Sequence, residues 1–330
     1  MPRIGLNDSD TGFDCESDDT ILRAALRAGV GMSYSCNVGS CGNCRFELIG
    51  GSVSHLRTDA PAYSEKDRKR NRWLGCQAVP GSDCVVKFRQ DPAAVPAHPP
   101  IRRHGVLLDR RMLNHDIGEF AIRIDGDPAF LPGQYALLGL ESVEGQRVYS
   151  MCNLPEGDIW RFQIKRVPGG AATTELFDVL APGDRLSVDG PYGQAHLRAD
   201  SPRDIVLLAG GSGLSPMVSI ARGALASALP RQVFFFFGGR SPRDTEATAF
   251  LREIADPRFH LTAAISDPAL AADWTGPQGF IHEVAEAQLG DALKEMEIYF
   301  AGPPAMAAAI GQSMAARGVP PAQIHFDEFY

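Results

Sequence analysis

The chain has 330 residues, room for two or three domains each with its own core, and its 44% apolar and 22% charged content is ordinary for a globular protein. No apolar run approaches a membrane span; the longest notable one, Val233 to Phe237, stops at Gly238-Gly239. Residues 1–90 hold twelve Lys/Arg against eleven Asp/Glu, so residues 91–330 carry −9 and the whole chain −8, and neither part reads as a nucleic-acid binder. The start, Met1-Pro2-Arg3-Ile4-Gly5, lacks a basic head followed by an apolar core, and a cytoplasmic location is expected.

In chain order, residues 2–16 predict two short strands about the turn Asn7-Asp8-Ser9-Asp10, with Ile4, Leu6 and Phe13 as apolar positions. A helix follows. Thr20 suits its N-cap, Ile21, Leu22, Ala25 and Leu26 share one face, and Gly29 is placed to end it. Next comes Cys36-Asn37-Val38-Gly39-Ser40-Cys41-Gly42-Asn43-Cys44, completed by Cys76. This C-x4-C-x2-C…C spacing resembles the plant-type ferredoxins, in which four thiolates hold a 2Fe-2S cluster. Such a centre needs sulfur ligands and backbone N–H donors, and Gly39 and Gly42, lacking a Cβ, let the loop take positive φ and turn its amides toward sulfur. A structural zinc site or inert thiols are the competing readings, but no second Cys/His knuckle pairs with this one. Cys15, Cys84 and Cys152 form no spaced set, so a reducing compartment is a simpler reading than disulfides.

Strands, helix and cysteine loop together resemble the β-grasp ferredoxin fold, expected over 1–90. Its charged segment from Ser64 to Arg72 reads as a solvated helix or loop face, with a docking patch for an acidic redox partner as the alternative. A strand, Val85-Val86-Lys87-Phe88, precedes a proline-rich stretch at 91–102, expected to be an extended, semi-rigid linker.

From 103 to 200 short alternating segments punctuated by Gly and Pro predict a small antiparallel β-barrel. Within it Pro132-Gly133-Gln134-Tyr135 precedes Arg147-Val148-Tyr149-Ser150. R-x-Y-S after a PGQY turn resembles the flavin signature of the ferredoxin-NADP reductase superfamily. By that resemblance Arg147 pairs with a flavin phosphate, Tyr149 lies against the isoalloxazine ring and Ser150 hydrogen-bonds near its N5, while Ile164 and Lys165 of the segment from Trp160 also border the cofactor. The residue types suit those tasks: a guanidinium fork for phosphate, an aromatic face for a planar ring, a hydroxyl that both gives and accepts. Gly169-Gly170-Ala171-Ala172-Thr173 leads into a helical pattern, whose N-terminal amides and dipole favour an anion. The resemblance assigns Gly169, Gly170 and Thr173 to the flavin pyrophosphate. Gly190-Pro191-Tyr192-Gly193 resembles the turn closing such barrels, or is a plain turn.

Residues 201–330 predict a Rossmann-like parallel α/β domain. The apolar strand Ile205 to Ala209 runs into Gly210-Gly211-Ser212-Gly213-Leu214-Ser215-Pro216 and an Ala-rich helix. Pro216 stands where the common dinucleotide fingerprint has its third glycine, and this G-x-G-x-x-P form resembles the reductase superfamily. Gly210, Gly211, Gly213 and Pro216 are therefore candidate pyridine-nucleotide residues. After the strand Val233–Phe237, Gly239-Arg240-Ser241-Pro242-Arg243-Asp244 is where the family grips the adenosine half, through Arg240 among others. Asp244 or Glu246 would accept from a ribose 2′-hydroxyl; Ser241 and Arg243 would suit a 2′-phosphate. NADH is expected, with NADPH as the alternative. Ile298 to Pro304 resembles the family's C-G-P-P strand end, giving Gly302 and Pro303 as nucleotide contacts, with Ala301 replacing the cysteine.

The ending, Phe326-Asp327-Glu328-Phe329-Tyr330, resembles family endings in which an aromatic covers the flavin with an acid nearby: Glu328-x-Tyr330 fits the plant-type ending and Asp327-x-Phe329 that of bacterial oxygenase reductases, so Glu328, Phe329 and Tyr330 are candidates. The order of the three regions is similar to the reductase components of multicomponent bacterial oxygenases, and Ile324 to Phe329 to those of the toluene-monooxygenase type. That likeness implies FAD, with FMN the alternative, passing electrons from NADH singly to the cluster, since hydride delivers two and a 2Fe-2S centre takes one. Cys36 and Cys41 would hold the outer iron and Cys44 and Cys76 the inner one. The implied acceptor is a Rieske or diiron oxygenase or hydroxylase component, directly or through a Rieske ferredoxin. A reductase for another acceptor, such as a ferredoxin or a cytochrome P450, and a redox-sensing module are the rival readings.

Overall fold

The computed structural model describes residues 1–7 and 9–327, and the chain divides into two compact units. The first contains Met1–Arg102 together with Asp189–Gln194 and Asp327. Its strands are β1 (Arg3–Leu6), β2 (Gly12–Asp14), β3 (Arg45–Gly50), β4 (Val53–His55), β5 (Arg72–Leu74), β6 (Ala78–Pro80) and β7 (Cys84–Lys87). Five of them form one sheet in the order β2-β1-β7-β3-β5, and β4 pairs with β6. Strands β1 and β7 run parallel, and the other pairs in this unit are antiparallel. Helix α1 (Ile21–Arg27) begins where the Thr20 hydroxyl accepts from the Arg23 amide, and its chain direction breaks at Gly29, whose φ of +73° a side chain would resist. The helix buries Ile21, Leu22, Ala25 and Leu26, and truncating the fully buried Leu22 to alanine costs about 2–5 kcal/mol.

The charged segment after Ser64 forms a short helix, α2 (Glu65–Lys69), closed by a capping box between Ser64 and Asp67. Residues 91–102 are packed rather than free. The Asp91 amide donates to the Gly31 carbonyl and its carboxylate accepts from the Ser33 hydroxyl, Pro92–Ala94 form a 3₁₀ turn with Ala94 buried, and the Pro100 carbonyl accepts from Arg27. Prolines stiffen this stretch; the contacts that seat it come from residues far away in sequence. Arg27 also places both terminal nitrogens 2.9 Å from the buried Asp189 carboxylate and its Nε 3.0 Å from Asp19. Deleting one member of so buried a pair strands the other, at about 3–5 kcal/mol.

The second unit comprises Arg103–Val188 and Ala195–Phe326. Strands β8 (Ile101–Met112), β9 (Ile117–Ile124), β10 (Tyr135–Gly139), β11 (Gln146–Ser150), β12 (Ile159–Lys165) and β13 (Arg185–Tyr192) form a sheet in the order β11-β10-β13-β8-β9-β12. An antiparallel bridge between Met151 and Phe162 joins its two outer strands and closes the barrel. Inside lie Leu107, Phe120, Ile122, Trp160, Phe162 and Ile164. Between β12 and β13, α3 (Ala171–Thr174) runs into a π-helical turn, Glu175–Val179.

Strands β14 (Ile205–Gly210), β15 (Val233–Gly239), β16 (Phe259–Ile265), β17 (Glu297–Ala301) and β18 (Ile324–His325) form an all-parallel sheet in the order β16-β15-β14-β17-β18. Every residue of β14 is buried, which is why it reads as an unbroken apolar run. Helices α4 (Leu214–Ala226), α5 (Pro242–Thr245), α6 (Ile281–Leu289) and α7 (Pro304–Ala316) connect the strands. The strand order reverses beside β14, so the crevice at its carboxyl end, the glycine turn, is the position where such sheets bind ligands.

Candidate functional site

In the first unit the cysteine loop curls around sulfur. The amides of Val38, Ser40 and Cys41 point at Cys36 Sγ at 3.5, 3.3 and 3.4 Å, and the Cys76 amide points at Cys44 Sγ at 3.5 Å. Asn37, Gly39 and Gly42 all have positive φ, and a Cβ on Gly42 would collide with the Arg45 guanidinium. The thiols associate in two pairs. A hydrogen bond from Cys41, helped by the loop amides, holds the Cys36 thiol low, and the shared proton raises Cys41. Cys44 and Cys76 are coupled in the same way, with Cys76 lowered and Cys44 raised. Among the described residues the one trio of ligand-type atoms lying within 4.8 Å of one another is His115, Asp116 and Asp244, so the four sulfurs do not form a single-ion cage. Two thiol pairs with amide donors fit a two-iron centre and not a tetrahedral zinc site, where all four sulfurs crowd one ion. One more group fits: the buried Asn37 side chain carries an Nδ2 with no hydrogen-bond partner, a donor beside Cys36.

On the barrel, β10 and β11 pair so that Tyr135 stands opposite Ser150 and Leu138 opposite Arg147. The Arg147 guanidinium is exposed and its Nη1 donates only to nearby backbone carbonyls, those of Glu144 and Gln146. Tyr149 packs one side against the barrel core, and burial pushes its phenol up to about 12, so it stays neutral. Gly169, at φ +71°, and Gly170, the residue before α3, bring the chain to the helix start. Arg147, Tyr149, Ser150 and this glycine turn offer the cation, the aromatic face and the amides that FAD requires.

Two candidate residues on the barrel are tied into its own structure. Ile164 is sealed in the core at 0% exposure, so at that position the backbone alone is available to a cofactor. The Thr173 hydroxyl accepts from the Val167 amide and donates to the Val167 or Gly170 carbonyl, which braces the glycine turn. Lys165 is partly exposed, with its ammonium 2.7 Å from Asp116 and its stem beside Gly211.

Helix α4 ties the two halves of this unit together, a feature the sequence did not announce. Ser215 Oγ donates to the Ser150 carbonyl at 2.6 Å while accepting from the Gln163 amide at 3.0 Å. One turn on, Ser219 donates to the Asn153 carbonyl, and Arg222 donates to that of Cys152. Positions 215, 219 and 222 fall on one helical face, so the R-x-Y-S strand end is fastened to the helix that opens the glycine turn. Pro216 sits in the first turn of α4, where its missing N–H costs nothing. Gly213 lies so close to β17 that a Cβ would collide with the Ala301 carbonyl, and a Cβ on Gly210 would press on Met306 Sδ. The turn therefore has the shape that close approach of a dinucleotide demands. Gly302 and the exposed Pro303 border it from the start of α7. A cavity of about 420 Å³ bordered by Leu251, Phe259, Leu261 and Trp274 lies instead along the edge strand β16, two strands away from β14.

Asp244 is built into its own turn. Its Oδ2 accepts from the Arg240 and Ser241 amides at 2.8 and 3.1 Å, and the residue is buried, because the turn from β15 into α5 uses the carboxylate as its own cap. Arg240, Arg243 and Glu246 remain exposed around that turn. At the other edge, β18 is held by His325 Nε2 2.7 Å from Glu297, while Tyr299 stacks on His325 and Phe300 on Phe326. Glu328, Phe329 and Tyr330 lie outside the described residues.

Comparison with known proteins gives the same three-part reading. Residues 4–81 match the family model of the 2Fe-2S iron-sulfur cluster binding domain, 104–197 that of the oxidoreductase FAD-binding domain and 207–312 that of the oxidoreductase NAD-binding domain. The chain is 40% identical to the ferredoxin–NAD(P)+ reductase CarAd of Metapseudomonas resinovorans over 96% of each chain. It is also 40% identical to the ferredoxin–NAD(+) reductase component of the alkene monooxygenase system of Xanthobacter autotrophicus, over 98% of this chain and 99% of that one. A solved ferredoxin reductase in carbazole 1,9a-dioxygenase superposes with a TM-score of 0.92 at 36% identity, covering 100% of this chain and 98% of the other. No helix among the described residues is long and apolar enough to cross a membrane. Matched along nearly its whole length and in every domain, the chain belongs to the ferredoxin–NAD(P)+ reductases, flavin and iron-sulfur components that pass electrons from NAD(P)H to oxygenase systems.

Proposed function

We propose that this chain takes hydride equivalents from NADH in its carboxyl-terminal half and delivers single electrons from its cysteine loop to an oxygenase or hydroxylase component of Rieske or diiron type, directly or through a Rieske ferredoxin. Bound FAD supplies a carrier that accepts electrons in pairs and releases them one at a time. The observation that carries the proposal is the Ser215 hydroxyl, bonded at once to the Ser150 carbonyl and the Gln163 amide. It ties the start of the nucleotide helix to the strand that presents Tyr149 and Ser150, which keeps hydride donor and acceptor in register.

In this reading Arg147 and the amides around Gly169 and Gly170 hold the flavin phosphates, Tyr149 supports the ring, and Ser150 holds a hydrogen bond at N5. Gly210, Gly211, Gly213 and Pro216 admit the nucleotide pyrophosphate, with Lys165 lending charge at Gly211 and Arg240, Gly302 and Pro303 bordering the two ends of the dinucleotide. By resemblance the ending supplies one aromatic for the flavin's nicotinamide side and one acid, either Tyr330 with Glu328 or Phe329 with Asp327. Cys36 and Cys41 hold the outer iron, Cys44 and Cys76 the inner one, supported by the pairing of their thiols. The working divisions are 1–90 for the cluster, 91–102 as connector, 103–200 for FAD and 201–330 for the nucleotide. A cytoplasmic setting goes with this reading: four cysteines are assigned to iron, and Cys15, Cys84 and Cys152 form no spaced set.

With Asp244 turned inward, Glu246 is the acid left to accept from a 2′-hydroxyl, and Arg243 is its competitor for a 2′-phosphate. Iron, sulfide and flavin analysis of the purified protein, with kcat/KM for NADH and NADPH against a one-electron acceptor, tests the proposal. Two irons and one FAD per chain with higher kcat/KM for NADH are expected. Zinc in place of iron, or no turnover with either nucleotide, would contradict it.

A further inference from the structure

Helix α1 carries a buried cation that nothing in the relay described above employs. Arg23 is 7% exposed, and it donates from Nε to Asn37 Oδ1 at 3.2 Å and from Nη2 to the Asn37 backbone carbonyl at 3.3 Å. Asn37 directly follows Cys36, is 1% exposed and has a φ of +57°. Because Oδ1 is taken by the guanidinium, the orientation of the amide is fixed, and its Nδ2 is the end left without a protein acceptor. Burying an NH2 group with no partner is costly. A glycine would have served the left-handed backbone equally well, so the backbone alone does not account for asparagine here.

We propose that Arg23 and Asn37 set the electron affinity of the iron-sulfur centre: the guanidinium locks the Asn37 amide so that Nδ2 donates toward the centre's sulfurs, and charge and dipole together favour the reduced state. The inference rests on the assignment of Cys36, Cys41, Cys44 and Cys76 as ligands. The step itself is a one-electron reduction in which no bond is made or broken; the electron comes from the pyridine nucleotide by way of the flavin. Reduction adds one negative charge to the centre, and a cation in a poorly solvated interior stabilises that added charge far more than a surface cation does. Both oxygens of the Asp189 carboxylate are engaged by Arg27, which does most to keep it ionised, with Arg23 contributing less. Hydrogen bonds to cluster sulfurs are among the levers by which a protein moves the potential of such a centre.

The test is a redox titration of the full-length, iron- and flavin-loaded protein followed by electron paramagnetic resonance, with iron and sulfide measured on the same samples. Arg23→Gln keeps hydrogen-bonding capacity and removes the charge; at the wild-type midpoint its reduced-to-oxidised ratio should fall at least about tenfold, a shift of about 59 mV to lower potential for one electron. Asn37→Gly keeps the left-handed backbone and removes the amide, and its ratio should fall about threefold, while Arg23→Lys, which retains the charge, should stay closer to wild type than Arg23→Gln. Flavin content should be the same in all forms. Unshifted midpoints in Arg23→Gln and Asn37→Gly with full iron content would overturn the proposal. Where Arg23→Gln does not assemble, Asn37→Gly decides alone, and loss of iron from both with an unshifted potential in the remaining centres would reduce the pair to a brace for the loop and overturn it equally. Absence of iron from the wild-type protein would instead refute the ligand assignment.

Discussion

The cysteine loop and the hydride face solve their positioning problems at different scales. Cys36, Cys41 and Cys44 share one loop, and the donors aimed at Cys36 Sγ come from Val38, Ser40 and Cys41 of the same loop. On the hydride face Ser215 bonds to Ser150, 65 residues away in sequence, and to Gln163, 52 away. Local chemistry suffices where four sulfurs must wrap a compact centre. Where two planar rings must meet at a fixed separation, helix α4 has to fasten parts of the chain that are remote from one another. The contrast predicts that damage to the loop acts in an all-or-none way, whereas damage to the hydride face is graded.

The largest break should come from Cys76→Ala. Losing one ligand ought to remove nearly all iron and sulfide in metal analysis, yet leave flavin content and NADH-driven flavin reduction in place, because the second unit is built from other residues. If the flavin left along with the iron, the two regions would not be separable. Arg147→Ala comes next. Removing a charge-assisted phosphate contact should weaken flavin affinity by about tenfold to a hundredfold, read by equilibrium dialysis, with iron content unchanged.

Ser215→Ala sharpens the comparison on its graded side. It strands the Gln163 amide and frees the Ser150 carbonyl, and stopped-flow flavin reduction should slow by about threefold to tenfold with the nucleotide dissociation constant nearly constant. A change confined to affinity would place Ser215 in nucleotide binding and not in the joint. Smallest should be Ala301→Cys, which adds a sulfur at the residue whose carbonyl lies against Gly213 of the glycine turn. Its expected effect is an approximately twofold to threefold change in hydride-transfer rate with the same cluster content, and identical flavin-reduction traces would count against it.

How much of this was legible in the residues follows from the same division of scale. The cysteine spacing, the Thr20 cap, the Gly29 stop and the unbroken apolar strand β14 each depend on neighbours within a few positions, and a linear reading suffices for them. Ser215, Ser219 and Arg222 were not legible as a joint, since an i, i+4, i+7 stripe of small polar and basic residues looks like any solvent-facing side of a helix until the carbonyls of residues 150–153 arrive opposite it. The capping role of Asp244 was hidden for a different reason: a carboxylate three residues after a serine suits both a capping box and a ribose, and the path of the turn leaving β15 is what brings out the cap. Ile164 shows the limit of assigning a site by segment. Alternation puts every second residue of β12 into the barrel, and Ile164 falls on that side.

The central claim, that electron pairs enter at the nucleotide turn and leave singly from the cysteine loop, is tested most directly by anaerobic addition of NADH to the flavin- and iron-loaded protein in a stopped-flow spectrometer. Flavin absorbance should bleach first and cluster absorbance second in the wild type, with the second phase missing in Cys76→Ala. Bleaching of the flavin alone in wild-type protein with full iron content would contradict the relay.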